Sequence, residues 1–484
     1  MSQYLKLLLL IWCLTSCTPD PRDVEEIQQY PALFPDYAGV TIPCNIAPLN
    51  FRIPGTSQAI AEFGTDETTL FRVAGKSHFN IPLNKWKALL QQAKGKKISV
   101  RITAQHPGES KWRRYLSFDI SVSSDSIDSH IAYRLIEPGY ERWGKMGIYQ
   151  RDLASFKEDA IIENDLLDKG CVNCHSFHNY SPQRWMFHLR KSGGGTVIQR
   201  DGKIEKMNLK TKKSIGNGTY PMWHPSGRYI ILSDNTTRQA FHAFQEKKIE
   251  VYDLESDLIL YDVEQQKVHT DPRFNQKDQW ETFPAWSPDG KWLYFCRSGA
   301  REMPFEVEKA RYSIYRIGFD AETGQFGKST ELILDGDSIR KSASFPRLSP
   351  DGRYLLYTLS DYGTFPIWHK EADLHMIDTQ SMEPVDVSSL NSDDVESYHS
   401  WSSSGRWVIF SSRRFDGRYT RLFIAYFDKA GKMHKPFLLP QKDPEQNTLF
   451  LKSYNIPEFI KGKVEMKEYE LAASINDLSP KQAD

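Results

Sequence analysis

Four segments in the second half of the chain repeat one pattern. They are Pro221-Met-Trp-His-Pro-Ser-Gly-Arg-Tyr, Pro284-Ala-Trp-Ser-Pro-Asp-Gly-Lys-Trp, Pro346-Arg-Leu-Ser-Pro-Asp-Gly-Arg-Tyr and His399-Ser-Trp-Ser-Ser-Ser-Gly-Arg-Trp. Their glycines, Gly227, Gly290, Gly352 and Gly405, lie 63, 62 and 53 residues apart. Each is followed by an alternating apolar run: YIILS, WLYFC, YLLYTL and WVIFSS. This is a strand, a tight turn and a second strand. Proline presets φ early in the turn, and glycine takes the φ > 0 position that other residues resist. The Trp or Leu four residues before each glycine is placed to pack between neighbouring sheets.

A unit of about 59 residues with one hairpin signal is the period of a β-propeller. From Ile131 onward the chain has room for six blades. A first blade is expected from Ala132-Tyr-Arg-Leu-Ile and Met146-Gly-Ile-Tyr-Gln-Arg-Asp-Leu. A second is expected to start at Gly195-Thr-Val-Ile and run to Leu209, with a closing strand within 430–470. The repeats resemble the Pro-Asp-Gly repeats of TolB-type propellers. The middle two copies match in full, the first lacks the Asp, and the last lacks both Pro and Asp. Peptidases that carry a propeller add an α/β-hydrolase domain, but no G-x-S-x-G elbow occurs here, and too little chain follows the last repeat.

Between about Tyr37 and Asp125 short alternating runs recur at close intervals, among them Thr69-Leu-Phe-Arg-Val and Lys97-Ile-Ser-Val-Arg-Ile. Pro82 to Gln92 is the one helical interruption. Residues 37–128 therefore read as an immunoglobulin-like β-sandwich. An aromatic content of 13%, with 12 Trp and 23 Tyr, suits a β-rich chain. Lys+Arg and Asp+Glu are equal at 62 each, which argues against a nucleic-acid binder.

Near the start of the chain Lys6 is followed by an apolar run from Leu7 to Leu14 that is short for a membrane span. Leu14-Thr15-Ser16-Cys17 resembles the lipobox of bacterial lipoproteins. The resemblance implies that residues 1–16 are a signal peptide and that Cys17 is lipidated. Several acyl chains would then hold the protein on a membrane. An ordinary secretory signal is the alternative; either way the mature chain is extracytoplasmic. Residues 17–36, rich in Pro and charge, read as a solvated tether.

One motif carries chemistry. Residues 171–175 read Cys-Val-Asn-Cys-His, and C-x-x-C-H is the attachment sequence of c-type haem. Random placement of the chain's six Cys and 13 His would give it roughly 0.002 times in this length. On a helical turn the two thiols reach one porphyrin edge, and the histidine that follows is carried beneath the ring as an iron ligand. Ala154 to Gly170 has helical spacing, so residues 155–190 are expected to be a short helical haem-binding insertion leaning on the propeller or the sandwich. Cys171 and Cys174 are the covalent candidates and His175 the proximal ligand. For the sixth ligand, Met186 and His188 share a face if their run is a strand. Met146, His178, Met222 and His224 are more distant candidates. A redox dithiol, or half of a zinc site completed by His175, His178 or His188, are the other readings of the two thiols. Cys296 reads as a packed strand residue, and a disulfide between Cys44 and Cys296 is a further option.

The motif resembles c-type cytochromes over about five residues. Its combination with the repeats resembles lipoproteins in which TolB-like repeats carry an embedded haem motif. The resemblance implies one covalent haem c, electron transfer or redox-coupled interaction, and periplasmic or outer-membrane placement. A propeller rim suits a protein or polymer partner. A non-catalytic binding or assembly module is the rival reading, and a haem oxidoreductase is a third. The sequence offers no convincing distal acid–base pair for an enzyme.

Overall fold

The repeats close into a ring of six sheets. A computed structural model describes residues 21–484 apart from 66–67, 138–143 and 243–246. The segment read as a signal peptide, Cys17 and the start of the stretch read as a tether lie outside the described residues, and the described part of that stretch is no free tether, because Val24–Glu26 pairs in parallel with Trp112–Arg114. Five blades run from the inside outward in chain order, starting from inner strands Cys171–Phe177, Thr219–Trp223, Gln279–Trp286, Ser342–Leu348 and Glu396–Trp401. The remaining blade, numbered 1 here, is built from both ends of the ring. Its outer three strands are His130–Ile136, Met146–Asp152 and Glu158–Glu163, and its inner strand is Ser453–Ile460 from the C-terminal part of the chain. That pairing closes the circle and leaves only short sheet edges.

The turn glycines sit where the repeat placed them, with φ between 67° and 74°. In the two full copies a serine hydroxyl closes the turn by accepting the Trp292 or Tyr354 amide at 2.9 Å. In the first copy His224 replaces that serine, and its Nε2 donates to the Gly290 carbonyl of the next blade at 2.9 Å. The repeat tryptophans staple neighbouring blades. Indole N–H groups of Trp223, Trp286 and Trp401 donate to the carbonyls of Ser176, Met222 and Arg347, each on the preceding blade.

Residues 155–190 are not a helical insertion. Glu158–Glu163 is the outer strand of blade 1, Asn164–Leu167 is a short 3-10 turn, and Cys171–Phe177 is the inner strand of blade 2. Gly195–Arg200 is therefore the third strand of blade 2 and not its beginning. The helical spacing loses because blade 1 needs a fourth strand. Ile161 and Ile162 are buried there, and β-branched residues suit a strand better than a helix.

The N-terminal domain is a seven-stranded sheet backed by a two-stranded ladder and the helix Leu83–Gln92. The helix buries Trp86, Leu89 and Leu90, with the Trp86 ring edge-on to Phe63. One hydrophobic core runs from this domain into blades 5, 6 and 1. Polar ties reinforce the junction: Asn50 donates to the Lys442 carbonyl at 2.8 Å, and Arg52 and His78 both hold Glu445. Among the described residues no helix is long and apolar enough to cross a membrane.

Candidate functional site

Every inner strand carries the same irregularity. In each, two residues stand opposite one residue of the neighbouring strand, the arrangement of a β-bulge. The first bulged residue has left-handed backbone: Cys174 (φ 54°), Tyr220 (46°), Phe283 (50°), Phe345 (54°), Tyr398 (45°) and Ile456 (52°). The second is His175, Pro221, Pro284, Pro346, His399 or Pro457. Non-glycine residues in this region cost on the order of 1–3 kcal/mol each and persist only where the surroundings impose them. Here the imposing element is the ring of six bulges around one channel. Cys174 and His175 therefore stand at a position common to all blades, and this sets where their side chains go.

Cys171 and Cys174 both face a cavity of about 590 Å³ at the end of the channel where the inner strands begin. Tyr220, Tyr398, Phe365 and Trp368 supply aromatic walls, and Arg134 and Arg190 supply cations. The cavity falls within the usual range for cofactor sites, about 300–1,000 Å³. Cys171 is partly exposed, and burial raises its thiol pKa. Cys174 is 2% exposed. A second cavity, of about 470 Å³, opens at the other end of the channel among the repeat residues Trp223, Trp286, Leu348 and Trp401.

His175 does not line the first cavity. Its ring is fully buried toward blade 1, beside the Ile456 backbone, and neither nitrogen has a well-aligned hydrogen bond. Burial, reinforced by the Arg134 charge, pushes its pKa down to about 3. Glu458 lies 3.7 Å from Nε2, and burial pushes its carboxyl up to about 8. Near neutral pH the contact is thus between two uncharged groups and is not an ion pair.

Met186 and His188 do share one face of the strand Arg184–Arg190, but they part in role. Met186 packs in a core with Ile198 and Met207. His188 reaches the cavity, with Nδ1 3.3 Å from the Thr196 hydroxyl, and burial lowers its pKa to about 3. His178 and His224 are occupied structurally, donating to the Pro225 and Gly290 carbonyls. Cys44 and Cys296 are free thiols. Among the described residues no three His, Cys, Asp or Glu side chains converge as a ready-made metal site.

Part of the donor set fits a covalently held haem in chemistry: two thiols on one cavity wall with arginines beside them, while the motif imidazole, His175, is turned away toward blade 1. They are presented by a bulged strand and not by the expected helical turn. Sequence reasoning missed the bulge and with it Arg134, Asn173, Tyr220 and Tyr398. The signal was present as a short polar residue, any residue, then Pro or His, once per blade.

Fold and site together define a six-bladed propeller with an N-terminal β-domain and a thiol-bearing cavity in its channel. No family model matches the chain, and no curated protein does. Among solved structures, TolB from Acinetobacter baumannii is similar at 14% identity, covering 78% of this chain and 85% of that one, with a TM-score of 0.42. A Mycobacterium tuberculosis puromycin-hydrolyzing peptidase follows at 12% identity, covering 72% of this chain and 52% of that one, TM-score 0.35. Porphyromonas gingivalis dipeptidyl peptidase 4 is similar at 11% identity, covering 60% and 48%, TM-score 0.26. The propeller assignment rests on the sheet topology itself.

Proposed function

We propose that this chain is an exported c-type haem protein, with one haem c bonded through Cys171 and Cys174 in the cavity of the propeller channel. The observation that carries the reading is that both thiols of the C-x-x-C-H motif open on one cofactor-sized cavity. Bound haem supplies one-electron redox chemistry. Cys171 and Cys174 would hold it, the aromatic walls would exclude water, and His188 is the cavity histidine available to it. His175 is the proximal candidate. Its imidazole, kept neutral by burial, has the protonation state a metal ligand needs, although it must turn toward the cavity to act. The reading includes lipid anchoring at Cys17, an extracytoplasmic location, and a protein or polymer partner on the propeller face for electron transfer or redox-coupled interaction.

The test is to export the protein from cells with cytochrome c maturation machinery and measure its mass. A haem adduct that survives acid–acetone extraction, and that is lost in the Cys171→Ser/Cys174→Ser variant, supports the reading. An adduct-free wild type made under those conditions refutes it. If the adduct forms, reversible reduction with exclusion of carbon monoxide marks an electron carrier, and ready binding of the gas marks an open, enzyme-like iron.

One observation favours a second reading, a haem-free binding module. His399 occupies the same bulge position in blade 6 as His175 does in blade 2. A histidine there can serve the channel wall alone. An adduct-free protein would select this alternative.

A further inference from the structure

We infer that Arg134 and Arg190 form a carboxylate-binding wall of the channel cavity, placed to receive the two acid side chains of a porphyrin; this rests on the haem reading above. Arg134 lies on the second strand of blade 1 and is 8% exposed. Its guanidinium donates to the Asn173 Oδ1, between the two motif cysteines, while its buried Nε has no partner. Among the described residues, no carboxylate lies within ion-pair distance of it. A buried charge without a counter-charge is expensive, and arginine cannot escape by losing its proton. Arg190 ends the second strand of blade 2, lines the same cavity and likewise has no carboxylate partner among the described residues.

Two acids, Asp234 and Glu137, share the cavity lining with three arginines, Arg134, Arg190 and Arg413. The Asp234 carboxylate accepts the amides of Ile215 and Gly216, both at 2.6 Å, and Glu137 accepts the Lys145 amide at 3.4 Å. With three arginines against two acids in its lining, the cavity keeps an excess of positive charge beside Cys171 and Cys174, and Tyr220, Tyr398, Phe365 and Trp368 line the same space. A ligand with carboxylates on one edge would supply the missing counter-charge. Arg134 also fixes Asn173, so the same guanidinium that would bind a carboxylate orients the thiol segment. It is a positioning residue.

The test uses the full-length Cys171→Ser/Cys174→Ser protein, which cannot form thioether bonds. It is titrated with iron mesoporphyrin and with the dimethyl ester of the same compound. The diacid is expected to bind roughly 10-fold or more tighter than the ester, the effect of a charge-assisted hydrogen bond or two. Adding Arg134→Met should remove most of that ratio, and Arg134→Lys should restore part of it. Equal binding of acid and ester, or binding of neither, overturns the inference, whether or not the Arg134 variants fold. The two readings fail separately. An adduct-free wild type with acid-over-ester preference intact refutes covalent haem and keeps the carboxylate wall. A wild type with its adduct but no preference does the reverse.

Discussion

Replacing His399 by proline should leave the fold intact and change how stability depends on pH. Four of the six bulge positions already hold proline, so this position needs no backbone N–H and accepts the fixed φ of the ring. The loss at neutral pH is one buried hydrogen bond, from His399 Nε2 to the Leu356 carbonyl at 3.0 Å, or about 1 kcal/mol. The gain appears in acid. Burial, helped by the Arg347 charge, pushes the His399 pKa to about 3. Between the ordinary histidine value of about 6.5 and that figure, the unfolded chain binds a proton that the folded chain refuses. Stability from this group is therefore complete above about pH 6.5 and is lost as pH falls toward 3. The loss is about 1.4 kcal/mol per pH unit. His175 and His188, also displaced to about 3, add slopes of the same sign. His399→Pro removes one of the three, so from about pH 6 to about pH 4 the variant should fall by roughly 2 kcal/mol less than wild type. It should be slightly weaker at neutral pH and slightly stronger in acid. Urea unfolding followed by tryptophan fluorescence across that range measures both curves. Parallel curves, or a variant already unfolded at neutral pH, would refute the reasoning.

Met186→Leu keeps volume in a packed core and should cost less than about 1.5 kcal/mol by urea unfolding, with no change in any haem spectrum. His188→Ala should alter the spin state of a bound haem, and an unchanged spectrum would remove it as sixth ligand. Gly290→Ala should destabilise by roughly 1–3 kcal/mol. It has φ 71°, and an added Cβ would lie 2.5 Å from His224 Nε2; a urea midpoint equal to wild type would contradict that. A chain ending before Ser453 loses the inner strand of blade 1, and limited proteolysis should then cut first within residues 130–163.

The repeats made the blades legible because a turn that needs glycine, and a tryptophan that must reach the next sheet, leave local marks. The same holds for the helix Leu83–Gln92, whose apolar spacing and proline start are local. The closing strand was only bracketed, because its identity depends on pairing with His130–Ile136, more than three hundred residues away. The motif read as haem-binding was misplaced for a related reason. C-x-x-C-H was read with the helical geometry that its spacing suggests, and the segment before it has helical periodicity. The ring of inner strands overrides both, since blade 2 needs Cys171–Phe177 to face the channel. Aligning His175-Ser-Phe with His399-Ser-Trp would have revealed this from sequence. That alignment changes the weight of the residues. The cysteine pair remains unexplained by the repeat, because no other blade carries a thiol at its bulge. The histidine has a counterpart in His399. The demand for chemistry therefore falls on Cys171 and Cys174 and on Arg134 beside them, which has no carboxylate partner among the described residues, more than on His175.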